Sequence, residues 1–214
     1  MKRPYLSVNF AISADGKITS VANTPSGWTS EADLQRLKKL REGADAIMVG
    51  RGTMEADRMT MITPYHPLRC IVSRSGQFDA SHPLFHSKGG EIHLLSAKPV
   101  AVQVPETTYH LGSLTDFLNA LRQSHGVKRL HCEGGGELVH ELAEMDAIDE
   151  IHLTWAGHRL FGGKNAPGIT GLPGDFLPAS RHFELHHFEP REELGECFLS
   201  YRRKERQVPD QAPA

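Results

Sequence analysis

The sequence predicts an α/β protein: a mixed, mostly parallel sheet flanked by helices, with an antiparallel pair of strands at the C-terminus. Three observations predict it. Short runs of β-forming residues alternate with stretches of helical apolar spacing. Three of those runs end in glycine or serine, the punctuation of a strand giving way to a turn. The last two runs, His182–Phe188 and Cys197–Tyr201, have no helix-length segment between them, so they close the sheet antiparallel.

Taken in order, Tyr5–Ile12 reads as the first strand. Ser30 is placed to cap a helix running to about Arg41, with Leu34, Leu37 and Leu40 at helical spacing. Ala44–Val49 is a buried-type strand ended by Gly50, and Gly52–Asp57 a short helix. Arg69–Ser73 and Glu91–Leu95 are further strands. Ser113 caps a helix over Leu114–Ser124, Arg129–Cys132 is a strand, Gly135–Met145 a helix, and Ile148–Trp155 a strand. Residues 162–180, rich in Gly and Pro, read as a long ordered loop. Residues 202–214 join clustered charge to two prolines and read as a frayed polar tail. No repeat or linker divides the remainder, so residues 1–201 are expected to form a single domain.

The 214 residues carry 24 Lys plus Arg against 26 Asp plus Glu, a formal charge of −2. That balance argues against a nucleic-acid partner held by a strongly basic surface. No apolar run approaches the roughly 18 residues of a membrane span, and Met1–Asn9 lacks the pattern of a secretory leader. Cys70, Cys132 and Cys197 lie 62 and 65 residues apart with no C-x-x-C pair, which excludes a zinc ribbon or thioredoxin-like site and points to a reducing compartment. A cytoplasmic protein acting on a small molecule, away from membranes, is expected.

The three strand-end punctuations are Gly50-Arg51-Gly52-Thr53, Ser73-Arg74-Ser75-Gly76 and Glu133-Gly134-Gly135-Gly136-Glu137-Leu138. In open α/β sheets, ligands bind outside the carboxyl ends of the strands. A small residue there admits a phosphate to the backbone, and a following helix offers free N–H groups and partial positive charge. One such turn is ordinary; three, two with arginine, point to a polyphosphate such as a dinucleotide. None is a G-x-G-x-x-G or Walker sequence. After the second strand, Ser73, Arg74 and Ser75 stand where an NADH site would carry an acid, which is chemistry for a 2′-phosphate and favours NADPH.

These segments resemble the cofactor segments of dihydrofolate reductase-like proteins. The nearer resemblance is to the reductase domain of the riboflavin-biosynthesis deaminase–reductase. It is carried by Arg3-Pro4-Tyr5, Ala11 to Ile18, Ser26-Gly27-Trp28-Thr29-Ser30, Leu40-Arg41, Ala44-Asp45-Ala46, Gly50 to Asp57 and the Glu133 glycine loop, in order over residues 3–201. The resemblance implies a homodimeric NADPH-dependent reductase that converts the ribosylamino side chain of a pyrimidine phosphate to the ribitylamino form. The deaminase motif is not matched: His131-Cys132-Glu133 has the H-x-E form, but no P-C-x-x-C follows. The resemblance therefore implies a stand-alone reductase.

Carried over by position, Ala11, Trp28, Thr53, Asp57, Gly135, Gly136, Glu137 and Leu138 would line the cofactor, with Gly50, Arg51, Ser73, Arg74 and Gly134 at the same strand ends. Ser26, Arg41 and Glu133 would face the substrate. Arg41 suits a phosphate as a planar fork, or simply complements its helix end. Trp28 suits the nicotinamide face, or serves as a core aromatic. Asp33, Asp57 and Glu133 are the candidate catalytic acids.

Two departures bear on substrate. Asn9 stands where the family usually has Lys, and Arg58-Met59-Thr60-Met61 replaces an Asp-Pro-x-Leu that normally leads to a substrate-gripping arginine. Asp33, five residues after Trp28, matches the spacing of the pterin-binding acid of dihydrofolate reductases, or is an ordinary first-turn acid. The alternatives are thus a reductase of a pterin or other carbonyl or imine, or a non-catalytic NADPH-binding protein. The 13 histidines show little metal-like spacing: His82 and His86 flank Pro83, and His186 and His187 are adjacent. They read mostly as surface composition, with no metal expected.

Overall fold

The computed structural model describes residues 2–22, 27–172, 174, 177 and 183–204. Ser26, His182 and the tail beyond Lys204 lie outside the described residues. The described chain divides into two compact units: residues 2–5 and 38–131, and residues 6–37 and 132–204.

In the first unit, β2 (Ala46–Gly50), β3 (Leu68–Ser73), β4 (Ile92–Ser96) and β5 (Thr107–Leu111) pair in parallel in the order β5-β4-β3-β2, with β6 (Arg129–Cys132) beside β2. Strands β2, β4 and β6 are buried on both faces over most of their length, as parallel strands are. One face packs Ile47, Val49, Ile71, Ile92 and Leu94 around Met54 and Leu84. Met54 comes from α2 (Arg51–Ala56). Helix α3 (Leu114–Gln123) begins at Ser113, whose Oγ accepts the Asp116 N–H at 3.1 Å, and buries Leu114, Phe117, Leu118 and Leu121. In the departing segment, Arg58 and Met61 adopt left-handed backbone (φ 50° and 53°), and Met61 is buried in the core. Arg69 ties the following loops together: its guanidinium donates to the backbone oxygens of Thr60, Leu84, Ser87 and Gly90.

In the second unit, β1 (Tyr5–Ser13) and β7 (Glu150–Ala156) are parallel, while β9 (Glu196–Arg203) runs antiparallel to both β7 and β8 (Phe183–Arg191). The nine described strands are therefore mixed and mostly parallel, ending in the antiparallel pair the sequence predicts. Two boundaries need correction. Strand β9 runs two residues past Tyr201, because Arg202 pairs with Glu150 and Arg203 donates to the Ile148 carbonyl. Strand β8 is irregular between Leu185 and His187, so the simple alternation expected for His186 and His187 does not apply.

Helix α1 (Glu31–Glu42) starts after Ser30, whose Oγ accepts the Asp33 N–H, as expected. Its leucines do not act as expected: no residue of α1 is buried, and Leu34 is exposed. Helix α4 (Gly136–Glu144) instead buries Leu138, Val139, Leu142 and Ala143.

Candidate functional site

In the first unit, the parallel register sets Gly50 opposite Val72, which brings the ends of β2 and β3 side by side. Gly50 caps α2 in an extended conformation (φ −71°, ψ 142°), and no side chain caps that helix. Arg51 lies at 2.7 Å from Glu55 one turn on, so its guanidinium is held by a carboxylate of the same helix. Thr53 is half-buried, and its carbonyl accepts the Asp57 N–H at 3.0 Å, ending the helix. At the end of β3, Ser73 is buried and its Oγ accepts the Gly76 N–H at 3.2 Å. Gly76 has φ 69°, and a Cβ there would lie 2.8 Å from Ser96 Oγ and 2.9 Å from the Lys98 carbonyl. The turn is thus tight, and Arg74, exposed, projects from it. Arg41 is half-buried in the last turn of α1.

In the second unit, Glu133 is half-buried just after β6. Gly134 (φ 98°) packs against the Phe10 ring, and a Cβ there would come 3.3 Å from Phe10 Cε1. The Gly134–Gly135 peptide is cis. Gly135 caps α4 with no side-chain cap, leaving the first turn of the helix, Gly136, Glu137 and Leu138, opened by glycine alone. Gly136 faces Gly171 so closely that a Cβ would lie 2.6 Å from the Gly171 nitrogen. Gly168 and Gly171 exchange two backbone hydrogen bonds of 2.8 and 3.0 Å. Part of the expected loop over residues 162–180 is therefore laid against the start of α4.

An open cleft of about 300 Å³ adjoins this loop, lined by Lys17, His140, Thr170 and Leu172 among others. Lys17 falls within the Ala11–Ile18 segment, whose resemblance assigns it no role, and the other lining residues lie on surfaces defined only by folding. The turn carrying Lys17 is fixed by Asp15. The Asp15 carboxylate accepts the Ser13 hydroxyl and the N–H groups of Phe161 and Gly162, and the Ser13 bond foremost holds its carboxyl below the usual carboxylate range.

Ala11 is half-buried in β1, opposite Thr154 of β7. Trp28 meets Phe161 edge-to-face at 4.9 Å, and its carbonyl accepts from Arg159 Nε at 3.2 Å. Asp33 has both carboxylate oxygens engaged: Oδ1 accepts the Thr154 hydroxyl at 2.5 Å and Oδ2 the Thr29 hydroxyl at 2.7 Å. Arg36 donates to the same Thr154 oxygen at 3.1 Å and to the Leu199 carbonyl at 2.7 Å. The Ser30 N–H and hydroxyl both donate to the buried Glu196 carboxylate. Asp33 is thus a structural tie between α1 and β7.

The histidines are not all surface residues: His82, His93, His131 and His152 are buried. His82 caps the start of the turn Pro83–His86, its Nδ1 accepting the Leu84 N–H at 3.2 Å. Burial, aided by the nearby Arg58 cation, lowers the His82 pKa.

The RibD C-terminal domain model matches residues 4–192. A relative from Archaeoglobus fulgidus, named 2,5-diamino-6-ribosylamino-4(3H)-pyrimidinone 5′-phosphate reductase, is 30% identical over 222 residues, covering 92% of this chain and 96% of its own. Among solved structures, the Thermotoga maritima diaminohydroxyphosphoribosylaminopyrimidine deaminase/5-amino-6-(5-phosphoribosylamino)uracil reductase aligns with a TM-score of 0.78 at 20% identity, over 94% of this chain and 57% of that one. A dihydrofolate reductase from Enterococcus faecalis aligns with a TM-score of 0.56 at 17% identity, over 94% of this chain and 96% of that one, and shares the fold. A family match spanning most of the chain, with a full-length relative beside it, shows that this chain belongs to the RibD C-terminal domain family.

Proposed function

We propose that the chain is an NADPH-dependent reductase that converts the ribosylamino side chain of a pyrimidine 5′-phosphate to the ribitylamino form, a step of riboflavin synthesis. The observation that carries the reading is the glycine-opened start of α4, Gly134 to Leu138, in a chain aligned almost end to end with a named pyrimidine reductase. That relative's name favours the 2,5-diamino pyrimidinone as substrate over its deaminated form.

The residues fit a dinucleotide. Helices α2 and α4 both begin after glycine with no side-chain cap, so backbone N–H groups are open to phosphate oxygens. The exposed Arg74 beside Ser73 supplies the charge for a 2′-phosphate. Ala11, Trp28, Gly50, Thr53, Asp57 and Glu137 complete the proposed cofactor set, with Arg51 in a lesser role because Glu55 holds it. Arg41 and Ser26 would grip the substrate, and Glu133 and Asp57 would accept its sugar hydroxyls. A bound reduced nicotinamide would supply the hydride that reduces the sugar C1, and the ring oxygen released from C1 would take a proton. The pterin alternative rests on Asp33, and both oxygens of that carboxylate already accept threonine hydroxyls.

A homodimer is part of this reading, supported by the exposed Leu185 and Phe188 on β8, which ends the strand order of its unit. So is a cytoplasmic setting, supported by three buried, unbridged cysteines. Purified chain given NADPH and the diamino ribosylaminopyrimidine phosphate should consume NADPH and yield a product two hydrogens heavier. No product would overturn the reading. Gly136→Ala, which drives a methyl into Gly171, should weaken NADPH binding about tenfold, or about 1.4 kcal/mol.

A further inference from the structure

Three histidines that the cofactor reading does not use converge within the first unit. His93 is on β4, His110 on β5, and His125 two residues past the end of α3. Along β4, Ile92 and Leu94 enter the apolar core, so His93 and Leu95 face the other way. Tyr109 on β5 likewise packs on that core, which turns His110 to the face shared with His93. The parallel register, His93 opposite Thr108 and Leu95 opposite His110, sets the two histidines diagonally on that face. Phe117 of α3 packs against the His110 ring at 4.9 Å. The backbone N–H of His125 donates to the Ala120 carbonyl at 3.3 Å, which folds His125 back over the helix end.

We propose that His93, His110 and His125 form a binding site for a divalent transition metal ion of the zinc class, with water as the fourth ligand. One ring nitrogen from each histidine lies within 4.8 Å of the other two. His93 Nδ1 and His110 Nε2 are 3.1 Å apart. Two imidazole nitrogens at about 2.0–2.1 Å from a tetrahedral zinc ion stand about 3.3 Å apart, so this pair already has the spacing of a ligand edge. The third ligand atom lies within 4.8 Å of the other two, so it needs to close by at most about 1.5 Å, and His125 is the exposed member of the three.

Three further features suit a cation. His93 is fully buried, with its ring fixed by stacking on His110 (5.3 Å) and by the edge contact with His125 (4.4 Å). Its other nitrogen, Nε2, is buried without a hydrogen-bond partner and lies 3.6 Å from the Glu91 carboxylate, close enough for that exposed acid to turn in and orient a ligating imidazole. The C-terminal end of α3 lies beside His125, and its carbonyls carry partial negative charge. Imidazole ligands select zinc, copper and nickel over magnesium or calcium. The ion would join β4, β5 and the end of α3, and so staple the strand at the edge of this unit. The site does not rest on the reductase reading.

Chelator-treated full-length protein titrated with Co²⁺ and Zn²⁺ tests it. One ion per chain is expected, with the visible absorption of tetrahedral Co²⁺ displaced by Zn²⁺ and a Zn²⁺-dependent rise in Tm. His125→Ala, at an exposed position, should weaken Co²⁺ binding tenfold or more while keeping the unliganded Tm, and His110→Ala should do the same to binding. His158→Ala, at an exposed histidine elsewhere, should change nothing. Wild-type binding no tighter than that of His125→Ala, or uptake of several weak ions per chain, overturns the proposal.

Discussion

Helices α4 and α1 are held in opposite ways. Helix α4 buries Leu138, Val139, Leu142 and Ala143, so it is fixed by apolar surface taken from water. Helix α1 has no fully buried residue, its Leu37 and Leu40 being only half-buried, and its attachment in the second unit is largely polar: Ser30 to Glu196, Asp33 to Thr154, and Arg36 to Thr154 and Leu199. The difference teaches that an amphipathic pattern is a reliable guide only where the stripe is wide enough to cover a core. Leu34, Leu37 and Leu40 sit among eight charged or amide side chains in α1, and the specific contacts come from the polar residues instead.

The largest expected effect is on α4: Leu142→Ala leaves a cavity in a fully buried site and should cost about 3 kcal/mol in urea unfolding. A cost under about 1 kcal/mol would mean that α4 is not held by burial. On α1, Arg36→Met keeps much of the apolar stem but removes the donors to Thr154 and Leu199, and should cost about 2 kcal/mol by the same measurement. If it is neutral, the polar attachment contributes packing alone.

The smallest effect is a pH signature, which a polar closure carries and an apolar one lacks. His82 closes the turn at Pro83–His86 through a neutral Nδ1. Burial first and Arg58 second lower its folded pKa, while the Met54 backbone, and then Asp79 and Glu55, pull the other way. The unfolded chain therefore takes up the proton first as the medium is acidified. This contribution is present above the unfolded value of about 6.5 and is lost as pH falls through the lowered folded value. His82→Asn keeps an acceptor for the Leu84 N–H and cannot titrate, so its Tm should fall less than that of the wild type between neutral pH and mild acid. Equal slopes would assign the acid loss to other groups.

Much of the fold was legible because its strands are short, apolar and punctuated. Eight of the nine described strands and all four helices answer to runs read from the sequence, with ends moved by no more than three residues. The strand that escaped, β5, is half polar, with a burial pattern set by its place at an edge, so neither alternation nor a continuous apolar run marks it. That omission also hid the histidine cluster, since His110 is on β5. In the candidate site, Gly134 to Leu138 was legible because glycine before a helix has few uses. Lys17, Thr170 and the Gly136–Gly171 contact were not, because they meet only through folding of distant segments.

By itself, then, the sequence determined the α/β class, the glycine-opened strand ends and the family, because local propensity and close backbone approach restrict which residues can stand there. Tertiary structure decided which distant polar groups are engaged: it made Asp33 a tie to Thr154, and drew His93, His110 and His125 together across gaps of 17 and 15 residues. Side-chain partners across parallel strands depend on register and on what covers each face, and neither is written in the local sequence.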